Sequence, residues 1–359
     1  GVLTIEAGLE EKMFVGLSRT IRETPSATGG AAVALEPSTG EVLGLVSAPS
    51  YDSNIFSTAV SREAFQSVKQ DASSPLFDRA VSGLYPPGSS IKPFLALAAL
   101  EEGVVTAETQ VVSTGAVVIP NPYNPEAPAV FRDWKEGGHG VVNLVRAIAE
   151  SVNTYFFAVG GGYGDISGLG VARMKRHLDA LGFGAKTGID IPSESAGLVP
   201  DREWKQETLK ERWVLGDTYN LSIGQGNLLV TPLQLARAYA MFANGGKLLK
   251  PFVVKLVIDK DKNVMWEQTP EAAAVNVADP EHLSLVRRAL RETVTNGTAG
   301  RIAGVPFPVA GKTGTAQAGP GRTHAWFASF APYNNPRLVL VVLIENGGEG
   351  SQVAVPAAR

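Results

Sequence analysis

The first candidate for chemistry is a serine and a lysine three positions apart, Ser89 and Lys92, in the segment Pro86–Lys92. Apolar residues from Leu95 onward predict that a buried helix begins here. Residues i and i+3 share one face of a helix, so the two side chains can meet. A desolvated neutral lysine is a suitable base for forming a serine alkoxide. The pair therefore predicts a nucleophilic serine, although Ser-x-x-Lys alone more often reflects a capping serine beside a solvated lysine.

Two polar residues, Ser151 and Asn153, form the second candidate. They lie within the apolar stretch 142–159, which has the pattern of a helix. Polar side chains fit poorly in such a stretch unless they face a site. We expect them to contribute to one, and the alternative is an exposed helix turn.

The third candidate is the run Lys312-Thr313-Gly314-Thr315, in a segment with the pattern of a strand. We expect Lys312 and the alternate hydroxyls of Thr313 and Thr315 to lie on one face of this strand. Gly314 would allow the backbone of a ligand to approach closely. The alternative is an ordinary edge strand that carries a lysine.

Other common catalytic patterns are absent from the sequence. Gly311-Lys312-Thr313 resembles the end of a phosphate-binding loop, but Pro306 occupies the position of its first glycine. The glycine cluster at 160–164 follows a helix pattern rather than a strand, which argues against a dinucleotide site. The four histidines form no metalloprotease pair, and no Gly-x-Ser-x-Gly elbow exists.

Composition excludes several further classes of protein. The 359 residues include 32 Lys and Arg against 35 Asp and Glu, a net charge of −3 that argues against nucleic-acid binding. The absence of cysteine excludes thiolate metal sites and Cys nucleophiles. No apolar run approaches the length of a membrane span.

Asp133 and His139 are two scattered potential ligands, which favours a structural role over a metal site. We expect no metal and no cofactor.

The elements that must position these residues begin with a helix and a hairpin. An apolar stripe at 9–22 predicts a helix. Two apolar runs, at 31–35 and 42–46, flank the turn Pro37–Gly40 and predict a β-hairpin.

Helices and then strands follow along the chain. Thr231-Pro232 and Asp279-Pro280 have the pattern of helix starts, with a capping residue before a proline. We expect a final helix to begin near Gln352. Three strand patterns precede it, at 305–317, 325–330 and 337–345.

This order predicts an α/β fold of the α+β type. One mostly antiparallel sheet would be built from about 28–50 and 303–346, with an inserted helical region at about 60–300. The Pro- and Gly-rich segment at about 104–140, which includes Asn121–Pro125, predicts a surface loop.

In this order, Ser-x-x-Lys, Ser-x-Asn and Lys-Thr-Gly match the active-site signature of penicillin-binding proteins and serine β-lactamases. The likeness covers nearly the whole chain, which resembles the transpeptidase domain of class B penicillin-binding proteins. The resemblance implies a five-stranded, mostly antiparallel sheet flanked by helices, in one transpeptidase domain at 1–359. Further matching segments are Leu3–Glu6, Phe131–Trp134, Gly138–Gly140, Thr187–Pro192, Gly216–Thr218, Gly224–Gly226 and Thr231–Ala236. The segments Arg132–Trp134, Gly138–Gly140 and Ala331–Pro336 most resemble the elongation-specific subgroup.

The resemblance implies how the first two motifs act. Ser89 would attack the carbonyl between the last two D-alanines of a stem peptide and form an acyl-enzyme, with Lys92 as the base. Ser151 would relay a proton to the leaving amine. Asn153 would bind the substrate amide and orient Lys92.

The third motif would bind the substrate. Thr313 and Thr315 would hold its carboxylate, while Lys312 would supply positive charge and disfavour the ammonium form of Lys92. The backbone N–H groups of Ser89 and Thr315 would form the oxyanion hole. A second Lys-Thr-Gly, at 186–188, follows a loop pattern and is interpreted as a structural turn.

The implied function is a peptidoglycan D,D-transpeptidase of lateral cell-wall synthesis and a covalent target of β-lactams. Its implied partners are peptidoglycan stem peptides, β-lactams, a SEDS-type glycan polymerase and elongation-complex proteins. A membrane anchor and a pedestal domain would precede the domain, which would lie on the outer side of the cytoplasmic membrane.

Three alternatives share some or all of these motifs. A β-lactamase must hydrolyse its acyl-enzyme, but the sequence has no clear deacylating Glu motif, and the chain is long for that class. A D,D-carboxypeptidase is disfavoured only by the class B resemblance. A β-lactam sensor or scaffold is disfavoured by the intact catalytic set.

Overall fold

The computed structural model describes residues 1–56, 61–121, 124 and 126–359, with helices and strands numbered along the chain. The α-helices are α1 (Ala7–Glu23), α2 (Arg62–Gln70), α3 (Lys92–Glu101), α4 (Leu144–Ala149), α5 (Asn153–Gly161), α6 (Gly170–Ala180), α7 (Arg202–Trp204), α8 (Leu215–Ser222), α9 (Pro232–Asn244), α10 (Pro280–Thr295) and α11 (Ala354–Ala357). The strands are β1 (Val2–Leu3), β2 (Gly29–Leu35), β3 (Val42–Ala48), β4 (Val111–Ser113), β5 (Ala116–Ile119), β6 (Ala129–Arg132), β7 (Gly140–Val142), β8 (Leu248–Leu249), β9 (Val254–Ile258), β10 (Val264–Glu267), β11 (Ala272–Ala274), β12 (Ala310–Gln317), β13 (Thr323–Ala331) and β14 (Leu338–Glu345). Short 3-10 turns lie at Ser53–Phe56, Gly88–Ile91 and Gly300–Ile302, and a π turn lies at Lys205–Leu209.

A five-stranded antiparallel sheet joins the two ends of the chain. Its strands lie in the order β12-β13-β14-β2-β3, so the N-terminal hairpin pairs with the last strand. The predicted sheet, hairpin and α+β class are therefore confirmed. The first C-terminal strand begins at Ala310, later than the predicted 305.

Helices cover both faces of this sheet. On one face α9 packs against β2, β13 and β14, and on the other face α1 and α11 pack against the sheet. Alternate residues of β14 enter separate cores, with Val341 in one and Val342 in the other. Both faces of the strand are thus buried, which explains its continuous apolar run.

The predicted helix starts at α9 and α10 are confirmed. Thr231 accepts a hydrogen bond from the backbone N–H of Gln234, whose side chain accepts from the Thr231 N–H in return, a capping box. At α10 the Asp279 carboxylate accepts from the N–H of Glu281. These caps satisfy N–H groups that have no partner within their helices.

The region between the two parts of the sheet is not only helical. Its described residues form eight short strands, β4 to β11; β4, β5 and β6 lie in the segment predicted as a surface loop, and β7 begins at the end of that segment. There β4 pairs with β7 and β5 pairs with β6, and the Val117 side chain is buried. Pro122, Tyr123 and Pro125 of the predicted loop lie outside the described residues.

The stretch 142–159 is not one helix, as its apolar pattern predicts, but two. It divides into α4 and α5, with Ser151 between them at a φ of 59°. The final helix is short and begins at Ala354. Of the helices in the described residues, none has the length and apolar character needed to cross a membrane.

Candidate active site

Ser89 lies in the 3-10 turn that leads into α3, and this turn packs closely against β12. The backbone N–H of Gly88 donates to Gly224 O at 2.9 Å. A Cβ on Gly88 would lie 2.6 Å from the carbonyl oxygen of Thr315, and its φ is +53°. Only glycine fits there, and the close approach puts the Ser89 turn directly beside Thr315.

A cleft of about 780 Å³ lies over this turn. Five of the predicted site residues line it: Ser89, Ser151, Asn153, Thr313 and Thr315. Other lining residues are Val130, Phe131, Arg132, Trp134, Phe157, Asn220, Ile223, Gln225, Gly226, Thr298, Gln317, Thr323, Glu349 and Ser351. The two predicted lysines are fully buried beneath it.

Lys92 is held by both residues of the Ser-x-Asn motif. Its Nζ lies 2.7 Å from Asn153 Oδ1, 2.8 Å from the Ser151 carbonyl oxygen and 3.4 Å from Ser151 Oγ. Burial lowers the pKa of Lys92 to about 7, against the opposing effect of the Asp133 carboxylate. The neutral amine is therefore well populated near neutral pH, as a general base requires.

Lys312 approaches Ser151 from the other side. Its Nζ donates to Ser151 Oγ at 2.8 Å and to the Thr313 carbonyl oxygen at 2.9 Å. Burial, and then repulsion by Lys92, lower the pKa of Lys312 well below its usual range. Ser151 thus lies between two buried amines that cannot both carry charge at low cost.

The break between α4 and α5 makes this arrangement possible. In its left-handed conformation, Ser151 directs its carbonyl to Lys92 and its hydroxyl to Lys312. Such a conformation is uncommon for residues other than glycine and carries strain that often accompanies function. The expectation that Ser151 lies inside a helix is wrong, and the break is what exposes its polar groups.

The expectation that Lys312, Thr313 and Thr315 share one face of β12 is also wrong. Neighbouring residues of a strand point to opposite faces, so the two threonines line the cleft while Lys312 extends beneath it. Thr313 Oγ1 lies 2.6 Å from Thr298 Oγ1, and Thr315 Oγ1 accepts from the Gly350 N–H. Lys312 itself does not line the cleft, but it contacts the lining residue Ser151.

Glycine is needed at position 314 for packing within the protein, not for the predicted close approach of a ligand backbone. A Cβ at this position would lie 2.8 Å from the Pro87 carbonyl oxygen and 3.3 Å from Ser90 Cβ. Gly314 therefore lets the strand pack against the nucleophile's turn, on the side opposite to the threonine hydroxyls.

Comparison with known proteins shows the family of this chain. The family described as the penicillin binding protein transpeptidase domain matches residues 30–359. The chain belongs to this family. It is 39% identical to the peptidoglycan D,D-transpeptidase MrdA of Haemophilus influenzae, over 96% of this chain and 54% of that protein. It thus spans about half the length of this curated relative.

Solved structures of penicillin-binding proteins have the same fold. Pseudomonas aeruginosa PBP2 in complex with WCK 5153 superposes with a TM-score of 0.85 at 37% identity, over 99% of this chain and 73% of that one. The imipenem acyl-enzyme of Mycobacterium tuberculosis penicillin-binding protein A gives a TM-score of 0.83 at 27% identity, over 99% and 77% of the two chains. These similarities confirm the predicted transpeptidase fold.

Two solved assemblies contain similar chains. One is the complex between Helicobacter pylori PBP2 and MreC, with a TM-score of 0.82 and 31% identity over 99% of this chain and 62% of that one. The other is a peptidoglycan synthase complex that coordinates polymerization and crosslinking, with a TM-score of 0.85 and 35% identity over 100% and 61%.

The second Lys-Thr-Gly is not part of the cleft lining. The Glu194 carboxylate accepts hydrogen bonds from the N–H groups of Thr187, at 2.6 Å, and Gly188, at 3.1 Å. Lys186 is exposed. The segment 186–188 forms a carboxylate-stabilised turn, in agreement with its interpretation as structural.

Sequence reasoning gave no role to several residues of the cleft. Gln225 bridges the Ser89 side to β12, with Nε2 3.4 Å from Thr315 O and Oε1 accepting from the Gln317 N–H. Its flanking glycines were a detectable signal for a tight turn. Thr298, which contacts Thr313, had no signal because it lies in the short segment between α10 and the following 3-10 turn.

Proposed function

We propose that this domain is a serine-type peptidoglycan D,D-transpeptidase that cross-links stem peptides through an acyl-enzyme. The observation that carries the proposal is the contact of Lys92 with Asn153 and Ser151 beneath the Ser89 cleft. A buried lysine whose pKa is lowered to about 7 is a base matched to neutral pH.

In the acylation step, Ser89 Oγ attacks the carbonyl of the terminal D-Ala–D-Ala bond and Lys92 Nζ takes its proton. The N–H groups of Ser89 and Thr315 stabilise the negative oxygen of the tetrahedral intermediate, each by about 3 kcal/mol. The carbon–nitrogen bond then breaks. Lys92 passes the proton through the Ser151 hydroxyl to the departing D-alanine amine, which leaves Lys92 neutral and the peptidyl ester on Ser89.

In the second step the amine of another stem peptide attacks this ester. The base takes a proton from the attacking amine and delivers it to Ser89 Oγ as the carbon–oxygen bond breaks, which restores the Ser89 hydroxyl and the neutral base. The products are a new peptide bond and a free enzyme. Water in place of the amine would give a carboxypeptidase product instead.

Substrate charge couples the two lysines. The substrate's terminal carboxylate, bound by the Thr313 and Thr315 hydroxyls, lies above Lys312 and favours its ammonium form. A charged Lys312 in turn disfavours the ammonium form of Lys92. Binding of the donor peptide therefore promotes the neutral state of the base that the first step needs.

The relatives support a wider setting for the full protein. We infer that it serves lateral wall synthesis, binds β-lactams covalently, and works with a SEDS-type polymerase and elongation proteins such as MreC. We also infer that it is anchored in the cytoplasmic membrane with this domain on the outer side. No metal or cofactor enters the proposed steps.

Covalent labelling tests the nucleophile. Ser89→Ala should abolish the adduct with penicillin while the protein stays folded. Ser90→Ala is the matched control, because the buried Ser90 hydroxyl donates to Pro87 O and does not line the cleft. Mass spectrometry of the intact chain reads both results, and an adduct on Ser89→Ala would disprove the assignment.

Product analysis separates the reactions that share this acyl-enzyme. With a lipid-linked glycan donor and a partner polymerase present, the full protein should give the cross-linked product in addition to free D-alanine. Hydrolysis alone would identify a carboxypeptidase, and rapid turnover of penicillin would identify a β-lactamase.

A further inference from the structure

The side chain of Asp133, just after β6, is fully buried and lies at the start of α5. Its Oδ1 accepts from the backbone N–H of Asn153 at 3.2 Å, and its Oδ2 accepts from the N–H of Thr154 at 2.9 Å. The residue that precedes α5 is Val152, which has no side-chain acceptor. Two of the free N–H groups at the start of this helix are therefore satisfied by a carboxylate from 20 residues earlier in the chain.

The Asn153 side chain is constrained from the same side. Its Nδ2 makes a longer contact, 3.5 Å, with the Arg132 carbonyl oxygen, while its N–H binds Asp133. Its Oδ1 remains directed at Lys92 Nζ. The contact of Nδ2 with the end of β6 thus favours the orientation in which the amide oxygen of Asn153 faces Lys92.

We infer that Asp133 is a positioning residue for catalysis, which fixes the first turn of α5 so that Asn153 holds Lys92. The inference rests on the proposed function, because it assigns Asp133 an effect on the base of that reaction. Asp133 itself does not line the cleft.

Asp133 is in turn held by its own neighbours. Oδ2 lies 3.0 Å from Thr154 Oγ1, which also contacts Ser113 Oγ at 2.7 Å. His139 Nε2 lies 3.6 Å from Oδ1, and His139 Nδ1 lies 2.7 Å from Glu150 Oε2. Asp133 is therefore held in place by its neighbours, and its position in turn fixes the first turn of α5.

The charge of Asp133 gives a second, measurable effect. Around Lys92 Nζ lie Asn153 and Ser151, with Lys312 beyond Ser151, Asp133 beyond Asn153, and the Phe156 ring at 5.3 Å. Asp133 is the negative group in this set, and it raises the pKa of Lys92 against the effect of burial. Removal of the charge should lower that pKa.

The test is the acylation rate of penicillin as a function of pH for the wild type and Asp133→Asn. This variant keeps the shape of the side chain but replaces an acceptor with a donor that faces the Thr154 N–H. We expect the plateau rate to fall about tenfold or more, since small misplacements of reacting groups are costly. We also expect the acid limb of the profile to move to lower pH. Asp133→Ala should lose more activity than Asp133→Asn. If Asp133→Ala does not fold, the result for Asp133→Asn alone tests the inference.

Asp279→Asn is the matched control, because Asp279 caps α10 with the same chemistry away from the cleft lining. Its profile should match the wild type in rate and in acid limb. A wild-type profile for Asp133→Asn, or an equal loss in Asp279→Asn, would overturn the inference. Failure of the wild type to acylate would instead reject the proposed function, independently of Asp133.

Discussion

The tripeptide Lys-Thr-Gly occurs twice in this chain, and the two copies have opposite surroundings. At 312–314 the lysine is fully buried on a strand and donates to Ser151, while at 186–188 the lysine is exposed in a turn. The backbone of the second copy is held by Glu194, whereas that of the first is paired with β13 throughout. The same tripeptide can therefore belong to a site or to a structural turn, depending on the secondary structure that contains it and on the residues that it contacts.

Removing each lysine gives the largest expected difference between the copies. Lys312→Ala should slow acylation by penicillin about a hundredfold or more, because it deletes the preorganised, buried donor to the Ser151 relay hydroxyl. Lys186→Ala should stay within a few-fold of the parent. Stopped-flow measurement of the acylation rate checks both, and the reverse ranking would show that the wrong copy was assigned to the site.

Adding a methyl group at each glycine should have a smaller effect on the rate. Gly314→Ala places a Cβ 2.8 Å from the Pro87 carbonyl oxygen, so the Ser89 turn must shift, and acylation should fall about tenfold or more. In Gly188→Ala the nearest atom is 3.3 Å away on the flexible Lys250 side chain, but φ is +81°. That variant should lose about 1 kcal/mol of stability and keep its acylation rate. Equal acylation rates in the two variants would contradict this account.

The carboxylate that holds the second copy gives the smallest expected change in activity. Glu194→Gln replaces an acceptor of two backbone hydrogen bonds and should lower the free energy of unfolding by about 1–2 kcal/mol. Urea unfolding measures this loss. The rate of penicillin acylation should be unchanged. A tenfold lower rate would mean that the turn at 186–188 affects the geometry of the cleft.

The sheet could be predicted from the sequence, because its signals are local. Apolar runs flank a turn that ends in Gly40, and both faces of β14 are buried, so its whole length is apolar. The α9 and α10 starts likewise have their capping residues immediately before a proline. Strands β5 and β6 were missed because each has four residues, too few for a periodic pattern.

The site was predictable in its members but not in its arrangement. The break at Ser151 interrupts a stretch whose apolar pattern continues on both sides, so periodicity cannot detect it. The need for glycine at 314 comes from the Ser89 turn that packs against it, and this turn lies more than 220 positions earlier in the sequence. Asp133 caps a helix that begins 20 residues later, which no capping rule for adjacent residues would find.

The pairing of β2 with β14 has a consequence for how the domain folds. Val33 lies opposite Val341, so these two neighbouring strands are separated by roughly 300 positions along the chain. The entropy of closing so large a loop must be overcome before the pairing contributes to stability, and such non-local topologies fold slowly. Until the last strand arrives, the β2–β3 hairpin exposes an unpaired edge, which is prone to aggregation during synthesis and refolding. The β2–β3 hairpin and β14 are therefore both needed before this sheet can form.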